Sequence, residues 1–140
     1  MTPEQVQLVR LSFVSVMDIK LEAGRLFYDR LFTIAPEARP MFKGDIEAQS
    51  KKLMDTLALA IGSLKNPGAL QGMLDNLARR HVGYGVRDEH YDKVGEALLW
   101  TLEKGLGPAF TSEVKTAWAS LYDTVASRMK AAAHQRTATA

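Results

Sequence analysis

Leu77-Ala78-Arg79-Arg80-His81-Val82-Gly83-Tyr84-Gly85-Val86 is the stretch on which the fold turns. Read backwards on a helix, Leu70, Leu74, Leu77 and His81 share one face, at the spacing of an apolar stripe. A histidine therefore stands where the pattern asks for a leucine, with its imidazole turned inward. Gly83 and Gly85 then stop the helix. A buried imidazole without a partner costs ~1–3 kcal/mol, so this one needs an acceptor or a metal. A carbonyl of its own helix and a metal in a mostly apolar pocket both meet that need.

The bulk composition narrows the choice. The 140 residues suit one domain with room for a sizeable core. Apolar residues make up 46% and charged residues 24%, an ordinary globular balance. The net charge of +2 is interspersed, which gives no basic stripe for nucleic acid. Cysteine is absent, so disulfides and thiolate metal sites are excluded. The polar start Met1-Thr2-Pro3-Glu4-Gln5 has no signal-peptide pattern, and no apolar run approaches the ~20 residues that span a bilayer. A cytoplasmic protein with no membrane partner is the expectation.

Outward from the opening stretch, the chain reads as helices throughout. Thr2 and Gln5 form a capping box around Pro3, and Val6, Val9, Phe13 and Val16 keep helical spacing. Asp18 marks a junction. A second helix turns Leu21, Gly24, Phe27, Tyr28, Leu31 and Phe32 inward or partly so, and Gly24 allows another helix to cross closely. Ala35-Pro36 breaks the chain, a short turn occupies Pro36 to Met41, and Phe42-Lys43-Gly44-Asp45 is a loop. Asp45 caps a long helix over 46–65, with Gln49, Leu53, Leu57, Ala60 or Ile61, and Leu64 inward. Asn66-Pro67-Gly68 is a turn, and the His81 helix follows over 69–82. Arg87-Asp88-Glu89 opens another helix, inward at Tyr91, Val94, Leu98 and Leu102, which ends at Gly105-Leu106-Gly107-Pro108. Thr111 caps the last helix, with Val114, Trp118, Leu121, Val125 and Met129 inward. His90 and His134 read as surface residues, and 131–140 as a mobile C-terminal tail after a domain over 1–130. No segment has the period of two that a strand needs. The fold class is all-α, with about six substantial helices and one short turn.

Several local patterns now fall in one order. Leu26-Phe27-Tyr28-Asp29-Arg30-Leu31-Phe32 is followed by Met41-Phe42, then by Gln49-Ser50-Lys51-Lys52-Leu53-Met54. Arg79-Arg80-His81-Val82-Gly83-Tyr84-Gly85-Val86 comes 32 residues after Gln49, and Tyr91-Asp92-Lys93-Val94-Gly95-Glu96 completes the set. From Pro3 to about Met129 the chain resembles a globin. It is most similar to single-domain bacterial haemoglobins related to the globin part of flavohaemoglobins, the Vitreoscilla-type and Hell's Gate-type globins.

The resemblance implies a globin fold with a haem pocket between a distal helix (46–65) and a proximal helix (69–82). It implies haem b as cofactor, with His81 as the ligand to iron. Phe42 packs on the haem face, Leu53 lies over the opposite side, and Tyr28 and Gln49 form the distal pair. Tyr91 resembles the flavohaemoglobin tyrosine beside the proximal histidine, and Val86 belongs to the haem contacts. Lys52, Arg79 and Arg80 are candidates to meet the anionic propionates. In flavohaemoglobins a glutamate near the end of the last helix joins the proximal tyrosine. The matching place here falls at about Gln135, which carries no carboxylate, and there the resemblance breaks.

Iron held by one neutral imidazole keeps its opposite position for a diatomic gas. An O–H from Tyr28 and an N–H from Gln49 would both donate to a gas that accepts charge from iron. The implied function is reversible binding of dioxygen, with nitric oxide and carbon monoxide as further ligands. The alternative is nitric oxide dioxygenation, with electrons from a separate flavin reductase because the 140 residues contain no reductase domain. Gas sensing ranks lower, since no output domain is read. Monomer and homodimer both stay open.

Overall fold

The computed structural model describes residues 1–42, 45–83 and 86–139, with the backbone alone for Gly83 and for 135–139. Tyr84, Gly85, Lys43 and Gly44 lie outside the described residues. The elements are α1 (Pro3–Asp18), α2 (Lys20–Ile34), a 3₁₀ turn (Pro36–Met41), α3 (Ile46–Gly62), α4 (Pro67–Gly83) and α5 (Asp88–Leu106). A second 3₁₀ turn (Gly107–Ala109) precedes α6 (Ser112–Thr139). The described residues include no strand, as the missing period of two predicts. None of the described helices is long and apolar enough to cross a membrane.

Local chemistry sets the helix ends. Thr2 and Gln5 close the expected capping box at α1, with Gln5 N–H donating to Thr2 Oγ1 at 3.1 Å. Asp45 caps α3 by accepting from Glu47 N–H at 3.1 Å. Three expected boundaries move. The distal helix ends at Gly62 rather than at 65, where Ser63 N–H bonds back to Ala60 and Leu59. The turn at Asn66-Pro67-Gly68 is instead the start of α4: Asn66 Oδ1 accepts from Ala69 N–H at 3.2 Å, and proline suits the first position. The last helix continues to Thr139 through the stretch that reads as a fraying tail, and His134 Nε2 there lies 2.8 Å from Asp88 Oδ2.

Two helices cross without a spacer. A Cβ on Gly24 would overlap Ser50, so α2 and α3 meet backbone to side chain as the lone glycine predicts. At a second contact, the ring of Tyr122 lies where a Cβ on Gly95 would sit, 2.8 Å from Cε2. Leu21, read as inward, is 49% exposed, because the inner face of α2 is taken by Ala23, Phe27, Tyr28 and Leu31.

The apolar interior divides into two clusters. The larger joins α1, α2, α3, α5 and the first half of α6 around Phe13, Phe27, Leu31, Met54, Leu98 and Trp118. Trp118 is fully buried, with Nε1 donating to Ser12 Oγ at 2.8 Å. The smaller holds α4 against the later half of α6 through Leu74, Ala78, Tyr91, Ala126 and Met129. Helix α4 packs chiefly on α6. Between α3 and α4 the helices stand apart, and this gap is where the site lies.

Candidate functional site

A cavity of about 640 Å³ fills the gap between α3 and α4. Its size falls within the ~300–1,000 Å³ of sites for small molecules and cofactors. Gln49, Leu53, Thr56 and Leu57 form the α3 wall, and Met73, Leu74, Leu77 and His81 form the α4 wall. Phe27, Tyr28 and Phe42 close one end. Lys52 and Arg80 are exposed residues on the same lining, one from each wall. Most of the remaining surface is apolar, from Val86, Val94, Leu98, Leu121, Val125 and Met129.

The helix register explains who faces the gap. On α3, Ser50, Met54 and Ile61 are fully turned to the main core, so the neighbouring stripe of Gln49, Leu53, Thr56 and Leu57 faces α4. On α4, Ala78 is spent on α6, Leu74 touches both α6 and the cavity, and Leu77 and His81 look across the gap.

His81 has its ring held on two sides. Its Nδ1 lies 2.7 Å from the carbonyl of Leu77, one turn back. A carbonyl only accepts, so Nδ1 carries the proton and the lone pair belongs to Nε2. Tyr91 lies against the imidazole, with ring centroids 6.3 Å apart and planes 24° apart. Burial lowers the histidine's pKa, and the Leu77 bond opposes that in part. The imidazole is therefore neutral at neutral pH and oriented, with the lone pair of its other nitrogen not used by the Leu77 bond.

Among the described residues no group of three or more His, Cys, Asp and Glu could hold a metal ion. A metal at His81 must bring its other ligands with it. A flat apolar macrocycle with charged substituents does so, and the apolar walls with Lys52 and Arg80 fit such a group.

Opposite His81, Tyr28 is 4% exposed and points its hydroxyl toward the carbonyl of Gln49, 3.4 Å away. Burial pushes its phenol up to about 12, so it stays a donor. Its ring is clamped edge-on by Phe27 and Phe42, at 5.0 and 5.1 Å. Helix α3 contains no histidine, so the wall facing His81 offers an amide and a leucine.

Tyr28, Phe42, Gln49, Lys52, Leu53, Arg80, His81 and Val86 all line the one cavity. Tyr91 lines an adjoining space of about 140 Å³ behind His81. Arg79 is not on the lining; it is exposed and bonded to Asn76 of its own helix. The side chain of Gln135 lies outside the described residues.

His90 corrects the sequence reading. It is 5% exposed, not a surface residue, because Nδ1 accepts the Arg87 N–H at 2.9 Å and so caps α5 from within. Its position three residues into a helix start was the available signal. That bond places its proton on Nε2, which is buried without a hydrogen-bond partner. Thr56, Met73 and Val94 were also not singled out, although Val94 was placed on an inward face. They lie at helical spacing from residues that were.

The comparisons agree with this geometry. The globin family profile matches residues 25–129. A neuroglobin of Danio rerio is 32% identical over 136 residues, covering 87% of this chain and 86% of its own. A neuroglobin of Chaenocephalus aceratus is 30% identical, covering 88% and 86%. Among solved structures, a bacterial globin from Campylobacter jejuni superposes with a TM-score of 0.86 at 26% identity, covering 97% of this chain and 99% of its own. With a capped helical frame, an oriented imidazole and an apolar slot between α3 and α4, the chain belongs to the globin family, whose members bind haem and through it diatomic gases.

Proposed function

We propose that this chain binds dioxygen reversibly through haem b, with His81 as the iron ligand. The supporting observation is the pairing across the cavity: one neutral imidazole on α4, and on the other side Tyr28, Gln49 and Leu53. When bound, haem would supply an iron that takes up a diatomic gas, nitric oxide and carbon monoxide included. His81 presents Nε2 to the metal. Tyr28 keeps its proton and can donate to a ligand oxygen, as can the Gln49 amide. Leu53 and Phe42 exclude water. Lys52 and Arg80 meet the carboxylates. The motifs from Leu26 to Glu96 favour the flavohaemoglobin-related bacterial subtype, acting as a carrier or store in the cytoplasm.

Hemin added to the protein should give a pigmented species with a Soret band, and His81→Ala should not retain it. The rate of oxygen release from the ferrous protein then separates delivery from scavenging. Steady consumption of nitric oxide in the presence of a separate flavin reductase would favour the dioxygenase reading over the carrier.

A further inference from the structure

The two neighbours that fix His81 are both fastened to α6. Tyr91, stacked on the imidazole, receives at its carbonyl the hydroxyl of Tyr122 at 2.5 Å. Helix α4 itself is fastened by Asp75. Arg128 Nε donates to Asp75 Oδ1 and Nη2 to Oδ2, each at 3.0 Å. The two parallel bonds form a planar fork that fixes orientation as well as distance. Both side chains are about a third exposed, at 38% and 35%, so the pair is partly shielded. The setting gives the fork its leverage. Helix α4 faces the cavity on one side and packs chiefly on α6 on the other. The apolar contacts there, Leu74 and Ala78 against Ala126 and Met129, hold the two helices together but are non-directional, and the fork adds a direction.

We propose that the Asp75–Arg128 fork is the positioning pair for His81: it sets the height and rotation of α4 over the cavity, and so where the imidazole would meet a bound iron. The inference rests on His81 being the ligand. A slide of α4 along α6 would carry the Leu77 carbonyl and the imidazole together, because both belong to the same turn. Tyr91, anchored separately through Tyr122, would not follow, and the stack would be lost.

The test uses the haem-loaded ferrous protein and reads the iron–imidazole stretching band by resonance Raman, together with oxygen dissociation. Asp75→Asn and Arg128→Gln should each move or broaden the band and change the dissociation rate by about threefold. Arg128→Lys keeps the charge without the fork and should do the same. Exchanging the pair, Asp75→Arg with Arg128→Asp, should bring the band back toward its original place. Arg25→Gln, which breaks the Arg25–Glu47 pair between α2 and α3, should leave it unmoved. A band that stays in place in Asp75→Asn, with only a lower melting temperature, overturns the proposal, as does full recovery by Arg128→Lys. An unmutated protein that shows no iron–imidazole band overturns the ligand assignment instead, so the two failures are distinct.

Discussion

The imidazole of His81 lies nearly parallel to the ring of Tyr91, at 6.3 Å between centroids, while its Nδ1 is tied to the Leu77 carbonyl. The Leu77 bond sets the rotation of the ring, and Tyr91 faces it in a nearly parallel plane. A ligand nitrogen held in this way aims at one point in the cavity and pays little ordering entropy on binding.

His81→Ala should abolish stable haem retention while leaving the apo fold helical, since His81 is only partly buried and faces the cavity. Added imidazole should restore pigment, because it fits the hole and supplies the missing nitrogen. Absorbance after gel filtration, with and without imidazole, decides the matter; normal retention by the alanine variant would count against ligation.

Tyr28→Phe should speed oxygen release, about 10-fold for each ~1.4 kcal/mol of hydrogen bonding removed. Thermal stability should change little, because the hydroxyl makes only a 3.4 Å contact with the Gln49 carbonyl. Stopped-flow displacement by carbon monoxide measures the rate, and an unaltered rate would mean that the hydroxyl does not reach the gas.

Alkaline titration should set Tyr28 apart. Burial raises its phenol from 10.0 to about 12, so the folded form keeps a proton that the unfolded form gives up. The stabilisation it contributes is complete below pH 10 and fades as the pH climbs from 10 toward 12. Phenolate absorbance of the protein minus that of Tyr28→Phe should show no step at the ordinary tyrosine position. A step near pH 10 would contradict the burial.

Gly24→Ala forces a Cβ into Ser50 at the crossing of α2 and α3 and should cost about 1–3 kcal/mol. At roughly 4 °C per kcal/mol for a chain of this size, a melting curve resolves it. Adding Ser50→Gly should recover much of the loss, since that change removes the obstructing atoms.

His90→Leu removes the acceptor for the Arg87 N–H and should destabilise by about 0.5–2 kcal/mol. His90→Asn keeps an acceptor near that N–H and removes the buried Nε2 donor that lacks a partner, so it should lie closer to the parent protein. Equal losses in the two variants would mean that the cap is not what His90 contributes.

Much of this was visible in the order of residues. The capping box at Thr2 and Gln5, the break at Pro36 and the apolar stripe ending in His81 are local signals, each spanning a few residues, and each produced the element it announces. Gly24 announced a close crossing because a lone small residue on an apolar face has few other uses. What escaped depended on orientation in space rather than on residue type. His90 looked like a surface residue because its acceptor role belongs to the backbone geometry at Arg87. Arg79 and Arg80 are alike in sequence, and only the rotation of α4 in space sends one to Asn76 and the other to the cavity lining. The stretch after Met129 reads as a tail because it carries no apolar stripe, whereas the hydrogen bond between His134 and Asp88 becomes visible only when α5 lies alongside.

The division of the interior into two unequal apolar clusters gives the chain a separation of duties. Damage around Trp118 and Phe13 strikes the part that lets the polypeptide fold at all. Damage around Leu74, Ala78 and Met129 should strike the seating of the fourth helix on the sixth, and with it the wall that carries His81. Phe27, Leu98 and Leu121 belong to the larger cluster and also line the cavity, so colour and foldedness should part company only for residues of one cluster that stay clear of that lining. A library sorted first for soluble expression and then for redness would split along that seam, with pale but well-folded clones clustering at the junction of the fourth and sixth helices.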